Sequence, residues 1–412
     1  MNSITFESAI AVLKTAVSRK HPPSTNVIQA IIRKAKSTGL SVEEIAELAT
    51  VYASSGDSLL FPQHQNIIAD IASTGGPSSL STLLCPLYLV VLGANVAKLG
   101  VPGRPAGGID VLAQVEGYKT QLSAFEIYSA IEKCGYTHFN AGVFAPLDAE
   151  IFRYRQETGA QNVPDLVIAS LLSKKLCVGV NRIGLDVRVS PFGNFGTTWD
   201  EAQLNASKFC KVASFLGKKA KCFLTNGSIP YQPYIGRSEA LFALNEVFNA
   251  NMDEALREHD QLCFTMANEL MGASYSPKPA VLNLQKVFFE NLESQNGLIE
   301  SYFRTVDMVS KSHSCEIVSM GEGFLEIDLH MVRSIMVGVQ RINTNEENIF
   351  PDPCGIILKS KVGQKVKKGS LLATLRCNKN DEQDLIEKFG KAFRVRETIV
   401  NDIDRFEVVN NV

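Results

Sequence analysis

Two groups of residues have the types and spacing needed for chemistry. The first is Ser73-Thr74-Gly75-Gly76, which follows the apolar run Ile67 to Ala72 and precedes the apolar stretch Ser81 to Gly93. Glycines let backbone N–H groups approach an oxygen atom, hydroxyls add donors, and a helix start adds a favourable field, so a strand-loop-helix of this kind suits an anion. The loop lacks the Gly-Lys-Ser/Thr ending of a Walker loop and the GxGxxG spacing of a dinucleotide loop. The same residues also suit an ordinary tight turn capped by a hydroxyl. The second group is Ser170 and Lys174, four apart and so on one face of an expected helix, with Arg155 on the preceding one. Three donors can converge there. Alternatively, Lys174 and Lys175 cap the helix C-terminus while Arg155 pairs with Glu157 or Asp148.

The elements that must position these groups are legible in outline. From Ile4 to Ser55 apolar residues recur at three and four positions, with Ser41 and Glu44 spaced for a capping box, which reads as a helical lobe. His64 to Asn66 read as linker, Ile67 to Ala72 as a buried strand, Ser81 to Gly93 as a buried helix, and Val96 to Leu99 as a strand entering the loop Gly100 to Gly108. Ser123 and Glu126 form a second capping box, and Pro164 sits at a favoured first-turn position. Strand Ile183 to Val189, a helix from Trp199, strand Lys221 to Leu224 and a helix from Ser238 alternate, which predicts a parallel or mixed sheet. Beyond Pro279 short segments are expected, ending in a small β module built around Val362-Gly363 and Gly369-Ser370-Leu371.

Composition narrows the classes. With 412 residues, 45% of them hydrophobic, the chain can bury two or three domains. Lys+Arg 41 against Asp+Glu 43 leaves a net charge of -2, so no global positive field exists for nucleic acid or an anionic membrane. Nine cysteines without a CxxC pair fit reduced thiols and a cytoplasmic compartment. The acidic residue and amphipathic spacing of the first twenty residues predict no secretory signal, and the longest apolar stretch is too short and too interrupted to span a bilayer. The six histidines, at 21, 64, 138, 259, 313 and 330, show no metal-ligand spacing, so no metal is expected.

Taken in order, several segments resemble the thymidine and pyrimidine-nucleoside phosphorylase family: Asp70-Ile71-Ala72-Ser73-Thr74-Gly75-Gly76, Gly103-Arg104-Pro105-Ala106-Gly107-Gly108-Ile109-Asp110, Arg155 with Ile168-Ala169-Ser170-Leu171-Leu172-Ser173-Lys174-Lys175, Leu185-Asp186-Val187-Arg188-Val189, and Gly355 to Gly369. The collinearity covers nearly the whole chain. The resemblance implies an α/β class protein with a helical lobe, a mixed α/β lobe and a small C-terminal β module. Its expected boundaries are 1–65 for the helical lobe, completed by about 147–178, then 66–146 with 179–340 for the α/β lobe, and 341–412 for the module. It further implies a cleft in which Ser73, Thr74, Gly75, Gly76 and Thr82 hold phosphate. Arg155, Ser170 and Lys174 would hold the base, with Arg155 and Lys174 catalytic. The implied reaction is reversible phosphorolysis of a pyrimidine nucleoside, with phosphate as co-substrate, no other cofactor and a homodimeric enzyme of nucleotide salvage.

The chain departs from the family's pattern where that pattern has a phosphate lysine and a histidine, carrying Ile71 and Ala72 instead, and Pro77-Ser78-Ser79 follow the glycines. Asp70-Ile71, Thr74-Gly75-Gly76, Leu80-Ser81-Thr82 and Val96-Ala97-Lys98 also resemble loops of anthranilate phosphoribosyltransferase. Two alternatives therefore stand beside the phosphorylase: a phosphoribosyltransferase-like enzyme, and a non-catalytic nucleoside-binding protein. An anion held only by hydroxyls and amides needs a cation, and Lys98, with Arg104 as competitor, is expected to replace the missing loop lysine.

Overall fold

The computed structural model describes residues 4–61, 67–105, 107–272, 277–342, 349–399 and 405–410. The expected junction at 65–66, His64 and Ala106 of the second loop lie outside the described residues. Three N-terminal helices, Phe6–Ser18, Thr25–Ser37 and Val42–Ala53, pack with Pro146–Glu157 and Pro164–Cys177. Ser41 and Ser123 each accept from the N3 amide while the N3 glutamate accepts from the cap amide, so both capping boxes form. Ile45, Leu48, Ala49 and Tyr52 bury one stripe against Leu166, Ala169 and Leu172, and this core continues into Ile183, Leu185 and Val187 of the sheet.

The main sheet contains five parallel strands, β1 (Ile67–Ser73), β2 (Ala94–Gly100), β3 (Tyr136–Asn140), β4 (Arg182–Val189) and β5 (Lys219–Asn226), in the order β5-β4-β1-β2-β3. Their near-continuous burial fits strands covered on both faces. The segment Phe406–Asn410 pairs antiparallel with the β5 edge. The chain runs from β1 outward through β2 and β3, then returns to the other side of β1 with β4. That reversal is a topological switch point, and in open α/β sheets ligands bind outside the carboxyl ends of the strands there.

A second pair of sheets forms the C-terminal module. One joins β6 (Tyr234–Ile235), β7 (Ser314–Val318), β9 (Cys354–Leu358) and β11 (Leu371–Cys377) in the order β6-β9-β11-β7; the other joins β8 (Gly323–Ile327), β10 (Lys365–Val366) and β12 (Phe393–Arg396) in the order β10-β8-β12. Strand pairing therefore draws segments 234–235 and 314–327 into sheets with residues beyond the expected boundary at 341, while Phe406–Asn410 leaves them for the main sheet. The short segments expected beyond Pro279 begin at Ser314, and two helices, Val281–Ser294 and Ile299–Lys311, precede them. Leu284, Val287, Phe288, Asn291 and Leu292 face the core of the first at helical spacing.

The module is locked to the main lobe by a buried ion pair. Arg376 on β11 donates to both carboxylate oxygens of Glu239, at 2.6 and 2.9 Å, and to Asp352 at 2.6 Å. Gly355 permits this, since a Cβ there would lie 1.8 Å from the Glu239 carboxyl carbon. Gly355→Ala is expected to lower stability by about 1–3 kcal/mol through overpacking, read as a lower midpoint of urea unfolding at unchanged slope.

Candidate functional site

The expected anion loop lies at the switch point. Ser73 is the last residue of β1, and the chain leaves the sheet through Gly75 and Gly76, at φ of +117° and +120°, where a Cβ would meet open space. The glycines are required for backbone conformation, and both residues are exposed. Ser73 Oγ accepts from the Gly75 amide at 3.2 Å. Thr74 stitches β1 to β4, its amide donating to the Asp186 carbonyl and its hydroxyl accepting from the Arg188 amide, each at 2.9 Å. The Thr82 hydroxyl, on the first turn of helix Ser81–Val91, is buried without a partner.

Beneath this loop is a network whose members the sequence analysis gave no role at the site. Asp186 and Arg188 lie two apart on β4 and so on one face. Arg188 donates through Nε and Nη2 to Asp186 Oδ2, at 3.0 and 2.7 Å, and through Nη2 to Ser79 Oγ at 2.6 Å. Ser81 Oγ donates to the same carboxylate oxygen at 2.7 Å. The guanidinium lies 3.6 Å from the Tyr231 ring centroid. Burial disfavours its charge, but Asp186 and Tyr231 outweigh that and raise its pKa above the ordinary arginine value. His259 accepts from the Leu80 amide through Nε2 at 2.8 Å, and burial followed by Arg188 pushes its pKa well down, leaving it neutral. Arg188 Nη1, Asp186 Oδ1 and His259 Nδ1 are buried without partners. Unpaired polar atoms concentrated under one loop are unusual in a finished core. The strand spacing Asp186-x-Arg188 is a sequence signal that could have pointed to the first two.

On the helical lobe the structure brings together two of the three expected donors. Lys174 Nζ donates to Ser170 Oγ at 2.9 Å, to the Ser170 carbonyl at 3.0 Å and to the Asp148 carboxylate. Arg155 points elsewhere: its guanidinium donates to the carbonyls of Ala160 and Leu166, both at 3.2 Å, and of Gln161 at 2.5 Å. Arg155 therefore closes the turn between helices Pro146–Glu157 and Pro164–Cys177, and it bonds neither Glu157 nor Asp148. The nearby Tyr52 hydroxyl is buried without a partner, and burial followed by Asp148 drives its pKa far up, against a smaller opposing effect of Arg155.

Lys98 is not available as a loop cation. Its Nζ donates to Asp70 Oδ1 and to the Ile71 carbonyl, both at 2.7 Å, and Lys175 donates to Asp70 Oδ2. All three side chains are buried, Asp70 completely. Lys175, expected to cap a helix, thus ties the helical lobe to β1, and Lys98 secures β2 to the same carboxylate. His138 sits alongside, its pKa pushed well down by burial and then by Lys98.

Arg104, the competing candidate, lines a cleft cavity of about 250 Å³ with Phe152 and Gln156 of the helical lobe and with Arg237, Gln340 and Arg341. Asp110 shapes this loop by accepting from the amides of Gly103 and Arg104, at 2.7 and 3.1 Å, and from Arg237 Nη2 at 2.8 Å. Surrounding protein and then Arg341 lower the Arg104 pKa, against Asp110, while burial, Arg104 and Arg341 lower that of Arg333. Among the described residues no carboxylate forms an ion pair with Arg104, Arg333 or Arg341. Among the described residues Arg104, Arg237 and Arg341 thus bring three cations to one cavity, with Arg237 paired to Asp110. Among the described residues no helix is long and apolar enough to cross a membrane.

No protein-family model matches the chain. It is 25% identical over 388 residues to the pyrimidine-nucleoside phosphorylase of Geobacillus stearothermophilus, covering 88% of this chain and 86% of that protein. It is 27% identical over 376 residues to the pyrimidine-nucleoside phosphorylase of Staphylococcus haemolyticus, covering 86% and 84% respectively. Among solved structures, anthranilate phosphoribosyltransferase of Thermus thermophilus superposes with a TM-score of 0.53 at 18% identity, covering 75% of this chain and 97% of that one. A hydroxyl- and glycine-rich loop at the switch point of a parallel sheet, below a helical lobe bearing Ser170 and Lys174, thus occurs in a chain similar along more than four fifths of its length to pyrimidine-nucleoside phosphorylases, with an α/β fold like that of anthranilate phosphoribosyltransferase.

Proposed function

We propose that the protein is a pentosyltransferase of pyrimidine-nucleoside phosphorylase type, reversibly cleaving a pyrimidine (deoxy)nucleoside with phosphate to free base and pentose 1-phosphate. The observation that carries this reading is similarity to phosphorylases along more than four fifths of the chain, with the anion-type loop retained at the switch point. In such a reaction a phosphate oxygen forms a bond to the anomeric carbon as the glycosidic C–N bond breaks, and the bonding pair leaves with the base. Lys174, steadied by Asp148 and Ser170, would stabilise that developing negative charge more than the ground state. The loop amides at Gly75 and Gly76, with Ser73, would receive phosphate, and the cationic surroundings of Arg104 and Arg341 would favour an anion in the cleft. Phosphate as the sole co-substrate, a homodimer joined through the helical lobe, a cytoplasmic location and a place in nucleotide salvage belong to the same proposal.

The phosphoribosyltransferase alternative has the fold in its favour, but the sequence similarity over most of the chain is to phosphorylases. Purified protein incubated with uridine, thymidine and their analogues, with and without phosphate, will release free base only when phosphate is present, as followed by chromatography. Release without phosphate would establish a hydrolase instead. Binding without release under either condition would establish the non-catalytic nucleoside-binding protein.

A further inference from the structure

We propose that His313, Cys315 and Glu382, with Cys377 beside them, form a binding site for one divalent cation of zinc type in the C-terminal module, apart from the cleft. Strand register assembles the set. Ser314 pairs with Arg376 and Cys315 with Leu375 across β7 and β11, so His313 comes level with Cys377, and the alternation of a strand puts His313, Cys315 and Cys377 on one face. Glu382 begins the helix Glu382–Gly390, whose Leu385 and Phe389 join the core of the same module.

The spacing suits a tetrahedral ion. His313 Nε2 lies 3.0 Å from Glu382 Oε2, Cys315 Sγ lies 3.9 Å from His313 Nε2, and the three ligand atoms all lie within 4.8 Å of one another, with Cys377 Sγ 4.0 Å from Cys315 Sγ. Metal bonds of about 2.0–2.3 Å at tetrahedral angles place neighbouring ligand atoms about 3.3–3.8 Å apart, so shifts of up to about 1 Å would close the three protein positions and leave the fourth to solvent. The donor set of one thiol, one imidazole and one carboxylate is that of borderline-soft Zn²⁺ and unsuited to Mg²⁺ or Ca²⁺, which take oxygen ligands. An entry path exists, because His313 and Cys377 line an open cavity of about 440 Å³ together with Asp352, Arg376 and Asn378. Binding would release the thiol proton to solvent and tie the edge strand β7 to the helix. The linear sequence conceals this set, since Glu382 is 69 residues from His313.

The test uses the full chain, stripped with chelator, kept reduced, and titrated with Co²⁺ and with Zn²⁺ alone. One equivalent per chain should bind, Co²⁺ should give a near-ultraviolet thiolate charge-transfer band, and Zn²⁺ should raise the thermal midpoint. His313→Ala and Glu382→Gln, at half-exposed positions that leave the fold intact, should weaken binding by at least about 100-fold, since even outer partners of a metal site contribute about 10- to 100-fold. Cys315→Ser should remove the Co²⁺ band. Absence of a thiolate band in the wild type, or binding undiminished in His313→Ala, would overturn the proposal, and neither result depends on catalytic activity.

Discussion

Asp70→Asn will lower the stability of the protein by about 3–5 kcal/mol, the cost of leaving buried charge without its partner. The substitution keeps the shape of the side chain but leaves the ammonium groups of Lys98 and Lys175 facing each other where β1, β2 and the helical lobe meet. Burial alone would raise the Asp70 pKa; Lys175 and then Lys98 outweigh it and hold the carboxyl below its usual range. A depressed folded-state pKa contributes stability above the unfolded carboxylate pKa of about 3.9, which is lost as pH falls through the folded value. The wild type should therefore lose stability on acidification through this site. The variant should show a second dependence, because the Lys98 pKa is already lowered by burial despite Asp70 and falls further without it. Its folded state then binds fewer protons than its unfolded state, so the deficit will shrink as pH rises from 7 toward 10. Urea unfolding at several pH values measures both effects. A deficit under 1 kcal/mol at pH 7, or one that grows toward pH 10, would refute this account of the triad.

Lys174→Ala will reduce kcat/KM for phosphorolysis by about 10²- to 10³-fold, as expected when a preorganised donor to developing negative charge is removed. The loss should fall mainly on kcat, because the ammonium interacts more strongly with the departing base than with the bound nucleoside. Ser170→Ala removes a neutral hydroxyl that accepts from Lys174 at 2.9 Å, and a smaller loss of roughly tenfold is expected. Arg155→Ala should behave differently. Its donors are occupied by the carbonyls of Ala160, Gln161 and Leu166, so its removal should lower the unfolding midpoint. Steady-state kinetics with melting curves on the three variants separates these roles. Lys174→Ala with wild-type kcat/KM would place base recognition outside this lobe.

Contacts of short sequence separation were largely legible. The capping boxes at Ser41 and Ser123 follow from a three-residue spacing, and the Ser170–Lys174 contact from a four-residue spacing, because helix geometry brings such residues together whatever the rest of the chain does. The strand into Ser73 and the turn at Gly75 and Gly76 were legible for the same reason: an apolar run meets residues that tolerate positive φ. Where the same local signal was overlooked, as in helices Val281–Ser294 and Ile299–Lys311, the periodicity was present in the sequence.

Partners of buried charges were not legible, and here the expectations for Lys98, Lys175 and Arg155 gave way. Which carboxylate or carbonyl meets a buried cation depends on strand order and helix docking. Lys175 reaches Asp70 across 105 residues, Arg188 reaches Ser79 across 109, and Ser81 reaches Asp186 across 105. By itself, the sequence determined the local elements, the family resemblance, and the chemical types of the loop and the donor pair. The tertiary structure decided which cations remain available to a ligand, because burial makes an unpaired charge costly and only the assembled fold determines which groups are near enough to compensate it.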